Sequence, residues 1–494
     1  MADTRHFDLL VIGSGPGGYV GAIRAAQMGM KVGCIERDKL GGVCLNWGCI
    51  PTKALLHNAE LYAEAITHGK EWGLDIKPDG VRVDWERVVG RSRGVTTQLN
   101  NGIAFLFKKN KIEHISGHAR IVSGKSAAGP CKVQVQKPTG HYYGGTAEAG
   151  ASETVTADRI LIATGASPRQ LPGAPADGKT IITSYEAMNL PKRPASMVIV
   201  GSGAIGMEFA YFFNAFGTKV TVVEMMDRIL PVEDDDISAA ARKAFEKQGM
   251  TILTGSTVKA VEKGKDGAKV TVVDVKDASR SQVLQAEVVL VAIGVKGRFD
   301  GLFDPSLGIR VEKDHLWTDY REKKEPTYQT SVPGIYAIGD VIGPPWLAHV
   351  ASEEAVACVE RMKGHHTLGV DYDAFPGCTY CNPQIGSIGL TERECKAKGL
   401  KYKVGKYSLK AHGKAIAVGA TEGMVKIITS EPYGEILGAH ILGEDASELI
   451  AEIGLAKRLE ATAEDIISTV HAHPTMAESI HEAALATEGR AIHA

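Results

Sequence analysis

The 494-residue sequence contains no apolar run approaching the roughly 20 residues that a membrane-spanning helix needs. Met1 to Phe7 carry no hydrophobic block of the signal-peptide kind, so a cytoplasmic protein is expected; a mitochondrial-matrix protein stripped of its transit peptide would read the same way. An excess of either charge is also missing. Lys and Arg number 56 and Asp and Glu 58, a formal charge of −2 spread along the chain, which leaves no single-sign field to gather nucleic acid or an anionic membrane. Cysteine is scarce: Cys34, Cys44, Cys49, Cys131, Cys358, Cys378, Cys381 and Cys395 are too few and too scattered for a disulfide framework. A close cysteine pair in such a chain asks for a redox or a metal explanation.

What is present is a globular composition, 44% apolar and 23% charged, with 56 glycines to make turns. Single cores stop growing at roughly 250–300 residues, so two to four domains are expected.

The segment FDLLVIGSGPGGYVGAIRAAQMGMKVGCIER reads as a buried strand, a glycine turn, a helix of small residues and a second strand ending at Glu36. The same grammar returns in MVIVGSGAIGMEFAYFFNAFGTKVTVVEMMDR from residue 197. Gly13, Gly15 and Gly18 answer to Gly201, Gly203 and Gly206, and an acidic residue, Glu36 or Glu224, follows each third glycine by 18 positions. In such a turn the first glycine bends the chain, the second admits a pyrophosphate and the third lets the helix pack closely, while the helix N-terminus offers amides to phosphate. A carboxylate ending the second strand can accept ribose hydroxyls. It also repels a 2′-phosphate, so Glu224 points to NAD rather than NADP. Short strands are expected from about 115 to 157, further strands at KVTVVDV, VVLVAIG and GIYAIGDV, and a mixed α/β tail from about Tyr372.

In GGVCLNWGCIPTK, Cys44 and Cys49 stand five apart. On one ideal helix that spacing sets their Cα atoms about 8–9 Å apart, beyond the roughly 7 Å limit for a disulfide. Pro51 favours a helix beginning near Ile50, which puts Cys44 on an irregular approach and Cys49 at a helix N-terminus, where the dipole favours a thiolate. Structural zinc usually takes four soft ligands, and the distant Cys378 and Cys381 are the one other close pair, so no metal is expected.

GGVCLNWGCIPTK, the two glycine turns, ATG at 163–165, IYAIGD at 335–340, LAH at 347–349 and HAHPT at 471–475 run in one collinear order. By these residues the chain resembles the pyridine nucleotide-disulfide oxidoreductases, in their dihydrolipoamide-oxidising branch. The resemblance implies an α/β fold of two Rossmann-like dinucleotide-binding domains plus a C-terminal α+β dimerisation domain. An FAD domain would take residues 1–165 and 299–365, an NAD domain 166–298 and the dimerisation domain 366–494. It further implies Cys44 as the interchange thiol and Cys49 as the charge-transfer thiol beside the flavin. Glu36 would hold the adenosine ribose of FAD, Gly117 the adenine, Asp340 the ribityl-phosphate side and Ala348 the region of the ring. Lys53 would sit near the flavin paired with Glu208. The NAD side would use Gly201, Gly203, Gly206, Glu224, Val258 and Gly294. His473, oriented by Glu478, would be the acid/base, reaching Cys44 across a homodimer, with His471 as its rival within HAHPT.

The implied activity is oxidation of protein-bound dihydrolipoamide with reduction of NAD, in a 2-oxoacid dehydrogenase or glycine-cleavage assembly whose lipoyl groups come from a partner protein. A glutathione-type reductase would prefer arginines where Glu224 stands, and a mercuric reductase would add a C-terminal cysteine pair where this chain reads GRAIHA. A purely docking subunit would not require Cys44, Cys49 and His473 together. Two departures stand out. VKGRFD follows Gly294 where the family continues Arg-x-Pro-Asn, which bears on the NAD pocket, and CTYCNPQIGSIG replaces a His-Pro-Glu pattern, so Cys378, Cys381 and Gln384 are read as loop and strand residues at a subunit contact.

Overall fold

A computed structural model of the protein describes residues 5–77, 80–127, 129–138 and 147–493. Its contacts gather into two compact units, Met1–Ala54 with Gly90–Arg169 and Val295–Val370, and Leu55–Val89 with Gln170–Gly294 and Asp371–Ala494.

In the first unit the strand His6–Ile12 is apolar on both faces, with Phe7 and Leu9 to Val11 fully buried, as a central parallel strand requires. It pairs in parallel with Val32–Glu36, Leu9 opposite Val32, and with Ala147–Ile162, Leu10 opposite Ile160. Glu113–Ser116 and Ile335–Ala337 extend the parallel set, and Cys131–Pro138 and His118–Ser123 continue it antiparallel. The helix Pro16–Gln27 turns Gly17, Gly18, Gly21, Ala22 and Ala25 inward, and these small residues allow close packing. Ile12, Glu36, Ser116, Ile162 and Ala337 all end parallel strands, and the crevice outside such ends is where an open α/β sheet binds ligands.

The second unit repeats the parallel design in five strands, ordered Thr251–Leu253, Lys219–Val223, Ser196–Val200, Val288–Val291 and Ile181–Ile182. It adds a three-stranded antiparallel sheet over Ser256–Ala286 and a five-stranded antiparallel sheet in the C-terminal portion, with Met424–Ser430 and Ile436–Gly443 at its middle. Ile450, Ile453, Ile480, Ala483 and Ala484 from the C-terminal helices close the core over Ile388, Val425, Ile427 and Ile441. Among the described residues no helix is long and apolar enough to cross a membrane.

Candidate active site

Strand His6–Ile12 delivers the chain into Gly13, whose φ of +95° lies in the left-handed region; a Cβ there would sit 2.4 Å from the Ala163 carbonyl oxygen. A Cβ on Gly18 would lie 1.9 Å from the Gly13 oxygen, whereas one on Gly15 would meet nothing nearer than the Gly42 Cα at 4.0 Å. The fold itself therefore demands Gly13 and Gly18, and Gly15 leaves space in front of the helix N-terminus. Glu36 ends its strand buried, and four donors fix its carboxylate. Oε2 accepts from the Ser14 N–H at 2.9 Å and the Ser14 hydroxyl at 2.7 Å, and Oε1 from the N–H groups of Arg37 and Asp38. The Gly117 N–H donates to the Glu36 carbonyl at 2.9 Å, bringing that turn alongside.

Gly13, Gly15, Glu36, Gly117, Asp340, Ala348 and both cysteines of the close pair line one cleft. Ala348 opens the helix Ala348–Met362, and Asp340 sits on the short turn Gly339–Ile342. That turn is tied down by Glu354, which accepts the Gly339 N–H at 2.6 Å. Burial pushes the Asp340 carboxyl up to about 6.

Cys44 is not on an irregular approach. It lies inside the six-residue helix Gly42–Trp47, which Gly41 opens at φ +94° and Gly48 ends, and Cys49 begins the next helix, Cys49–Thr67. The break at Gly48 does what the sequence reading assigned to irregular chain, since two helices, rather than one, separate the thiols. Cys49 stands at a helix N-terminus as expected. In the reduced pair the Cys44 thiol is pushed well above the ordinary range, first by its hydrogen bond with Cys49, then by burial and by the Cys49 charge, with Lys53 acting the other way. Tyr19, on the helix Pro16–Gln27, senses both thiols, its hydroxyl raised by burial and by their charge.

The second unit copies the first turn closely. Gly201 has φ +100° and its Cβ would lie 2.4 Å from the Ala292 oxygen; a Cβ on Gly206 would lie 2.1 Å from the Gly201 oxygen; Gly203 faces nothing within 4 Å. The buried Glu224 accepts from the Ser202 N–H at 2.8 Å and hydroxyl at 2.7 Å through Oε2, and from the Met226 N–H at 2.7 Å through Oε1. The Ser256 N–H donates to the Glu224 main-chain carbonyl at 2.9 Å, at the start of the strand Ser256–Gly264 that carries Val258. Gly294, at φ +95°, follows Ile293 at the same turn. Glu208 is buried on the helix Ala204–Ala215 and accepts the Tyr380 N–H at 3.1 Å. Lys53 belongs to the first unit and Glu208 to the second.

After Gly294, Val295–Gly297 pairs with Ala166–Pro168 in the first unit, and Arg298, Asp300 and Leu302 line the first cleft. Cys378 is a strand residue, on Gly377–Thr379, and Cys381 is buried just beyond it.

His473 Nδ1 lies 2.9 Å from Glu478 Oε1, and Glu478 is the first residue of the helix Glu478–Thr487. Its other oxygen accepts the Thr475 N–H at 2.9 Å. The His473 side chain is 79% exposed, while that of His471 is 7% exposed and has both ring nitrogens engaged. The sequence reading missed Ser14 and Ser202, although the middle residue of Gly-Ser-Gly is the same in both turns.

Residues 7–355 match the pyridine nucleotide-disulphide oxidoreductase family, and residues 375–484 match its dimerisation domain. The chain belongs to this family. Its cofactors are FAD and NAD, and it is a flavoprotein disulfide oxidoreductase. The open space over Gly15 and Gly203 and the carboxylate beside each fit dinucleotides. Similar proteins include the dihydrolipoyl dehydrogenase of Rhizobium etli, 46% identical over 99% of this chain and 100% of that protein, and that of Chlorobaculum parvum, 42% identical over 98% of each. The mitochondrial dihydrolipoyl dehydrogenase of Pisum sativum is 40% identical over 98% of this chain and 92% of that protein. Among solved structures, LpdA from Mycobacterium tuberculosis shares the fold with a TM-score of 0.86, at 24% identity over 97% of this chain and 99% of that one.

Proposed function

We propose that the chain is a dihydrolipoyl dehydrogenase, converting protein-bound dihydrolipoamide and NAD+ to lipoamide, NADH and a proton. The observation that carries this reading is the Cys44–Cys49 pair on the wall of a dinucleotide cleft, with Cys49 at a helix N-terminus. When bound, FAD supplies a two-electron carrier between the dithiol and NAD+. Glu36, Gly117, Asp340, Ala348 and the turn Gly13 to Gly18 hold it, within residues 1–165 and 299–365, and Lys53 stands near the ring. The turn Gly201 to Gly206, with Glu224, Val258 and Gly294, holds NAD within 166–298.

In the oxidised enzyme Cys44 and Cys49 are joined. A substrate thiolate attacks Cys44 sulfur, the Cys44–Cys49 bond breaks, and Cys49 leaves as a thiolate that its helix N-terminus stabilises. His473 takes the proton from the second lipoyl thiol, which then attacks the first lipoyl sulfur, closes the lipoamide disulfide and expels Cys44. The proton passes from His473 to Cys44. His473 comes from the second subunit of a homodimer formed through residues 366–494, and lipoyl-bearing proteins of 2-oxoacid dehydrogenase or glycine-cleavage complexes are the cytoplasmic partners. The test is the dihydrolipoamide:NAD+ assay. Cys44→Ser and Cys49→Ser should each lose turnover and keep flavin; turnover surviving in either would exclude the cysteine pair from the reaction.

A further inference from the structure

Two residues before His473 stands a second histidine–glutamate pair that the proposed chemistry does not use. The ring of His471 points inward. Its Nε2 lies 2.8 Å from Glu452 Oε1, on the helix Ala446–Arg458, and its Nδ1 lies 3.0 Å from the Thr469 carbonyl oxygen. Both partners carry acceptor oxygens, so both ring nitrogens are engaged. His481, on the helix Glu478–Thr487, packs against the same ring with centroids 5.5 Å apart and reaches the Ile467 carbonyl through Nε2 at 3.2 Å. On the far side, buried His412 reaches the Thr475 carbonyl through Nε2 at 2.8 Å. The backbone from Ile467 to Thr475 is therefore pinned at three carbonyls by three imidazoles, and one of these is itself anchored by a carboxylate on a neighbouring helix.

We infer that His471, held by Glu452, is a positioning residue that sets the direction of the His473 ring. The inference rests on the reading of His473 as the proton acceptor. Glu478 holds that ring at Nδ1 and the backbone after it at the Thr475 N–H; the strut from Glu452 through His471 to the Thr469 carbonyl holds the backbone before it. A general base displaced by about 1 Å loses on the order of a hundredfold in rate while substrate still binds. Loss of the strut should thus appear in kcat and not in the KM for dihydrolipoamide.

The experiment uses the FAD-loaded holoenzyme and three variants, His471→Phe, Glu452→Ala and Glu452→Gln, with His473→Ala as reference. His471→Phe should lower kcat for dihydrolipoamide oxidation about tenfold to a hundredfold and shift the acid limb of its pH profile. Flavin content and NADH-driven reduction of a small quinone, which needs no dithiol, should stay at the parent level. Glu452→Ala, a half-exposed site that keeps the fold if His471→Phe does not, should lower kcat in the same direction. Glu452→Gln retains an acceptor for the ring and should recover most of the loss. Parent kcat and pH profile in both His471→Phe and Glu452→Ala would overturn the inference. If His473→Ala itself oxidises dihydrolipoamide at the parent rate, the reading of His473 fails instead.

Discussion

The Lys426 ammonium donates to Asp234 Oδ1 at 2.7 Å with both side chains only 1% exposed. It also donates to Asp236 at 2.6 Å and Glu392 at 2.8 Å, tying the start of the helix Asp235–Lys247 and the helix Glu392–Ala397 to a middle strand of the C-terminal sheet. Breaking such a buried pair costs about 3–5 kcal/mol, because the remaining charge has no water to replace its partner. Lys426→Met should lower unfolding stability by about that amount in urea titration.

The same carboxylates govern the acid limb of stability. Burial raises Asp234, but hydrogen bonds from Lys426 and from the Glu392 N–H outweigh it, and its folded value lies below the ordinary one. Glu392 is brought down to about 2, first by Lys396 and then by Lys426. Groups lowered on folding contribute stability that is complete above the ordinary carboxylate value near roughly 4 and is lost as pH falls through the folded value. Urea midpoints should drop between about pH 4 and pH 2 in the parent, and the drop should be shallower in Lys426→Met.

Ser14 and Ser202 offer a paired test of the carboxylate latch. Each serine gives its Glu two hydrogen bonds, one from the main chain, which survives mutation, and one from the hydroxyl, worth about 1 kcal/mol or roughly fivefold in binding. Ser14→Ala should weaken FAD retention during dialysis and leave the KM for NAD alone. Ser202→Ala should do the reverse, and a shared effect would mean that the two turns do not act separately.

Glu224 should select NAD against NADP. Glu224→Gln is expected to cost about tenfold to a hundredfold with NAD and to narrow the preference over NADP, since a carboxylate at this place repels the extra phosphate. Equal turnover of the parent enzyme with both dinucleotides would contradict the assignment.

Subunit mixing checks where His473 acts. A heterodimer of a His473→Ala chain and a Cys44→Ser chain should regain one working site of two if each site draws its cysteines and its histidine from different chains. Either parent variant alone should stay inactive, and failure to recover after verified exchange would place both groups in one chain.

The parallel-sheet halves were legible because their signals are local and repeated: an apolar strand, three glycines and a carboxylate at the same spacing recur at Gly13 and Gly201. The His473–Glu478 pair was legible for the same reason, since five residues and one helix start bring them together. The helix around Cys44 was not, because six residues between two glycines are too few for a periodic pattern to emerge. Nor could Arg298 and Asp300 be placed, since their move back to the first cleft depends on the pairing of Val295–Gly297 with a strand more than a hundred residues earlier. The strut from Glu452 to His471 joins residues 19 apart across separate elements and leaves no spacing to read.

The glycines of each turn fall into two kinds with different fates under random change. At Gly201 and Gly206 any side chain would collide with main-chain oxygen, while at Gly203, where φ is −67°, an added carbon meets open space. In a library sequenced after selection for folding alone, position 203 should fill with alanine and serine as positions 201 and 206 stay closed. A second round selected on NADH production should empty position 203 again. The difference between the two rounds would separate, codon by codon, what the fold forbids from what the ligand forbids.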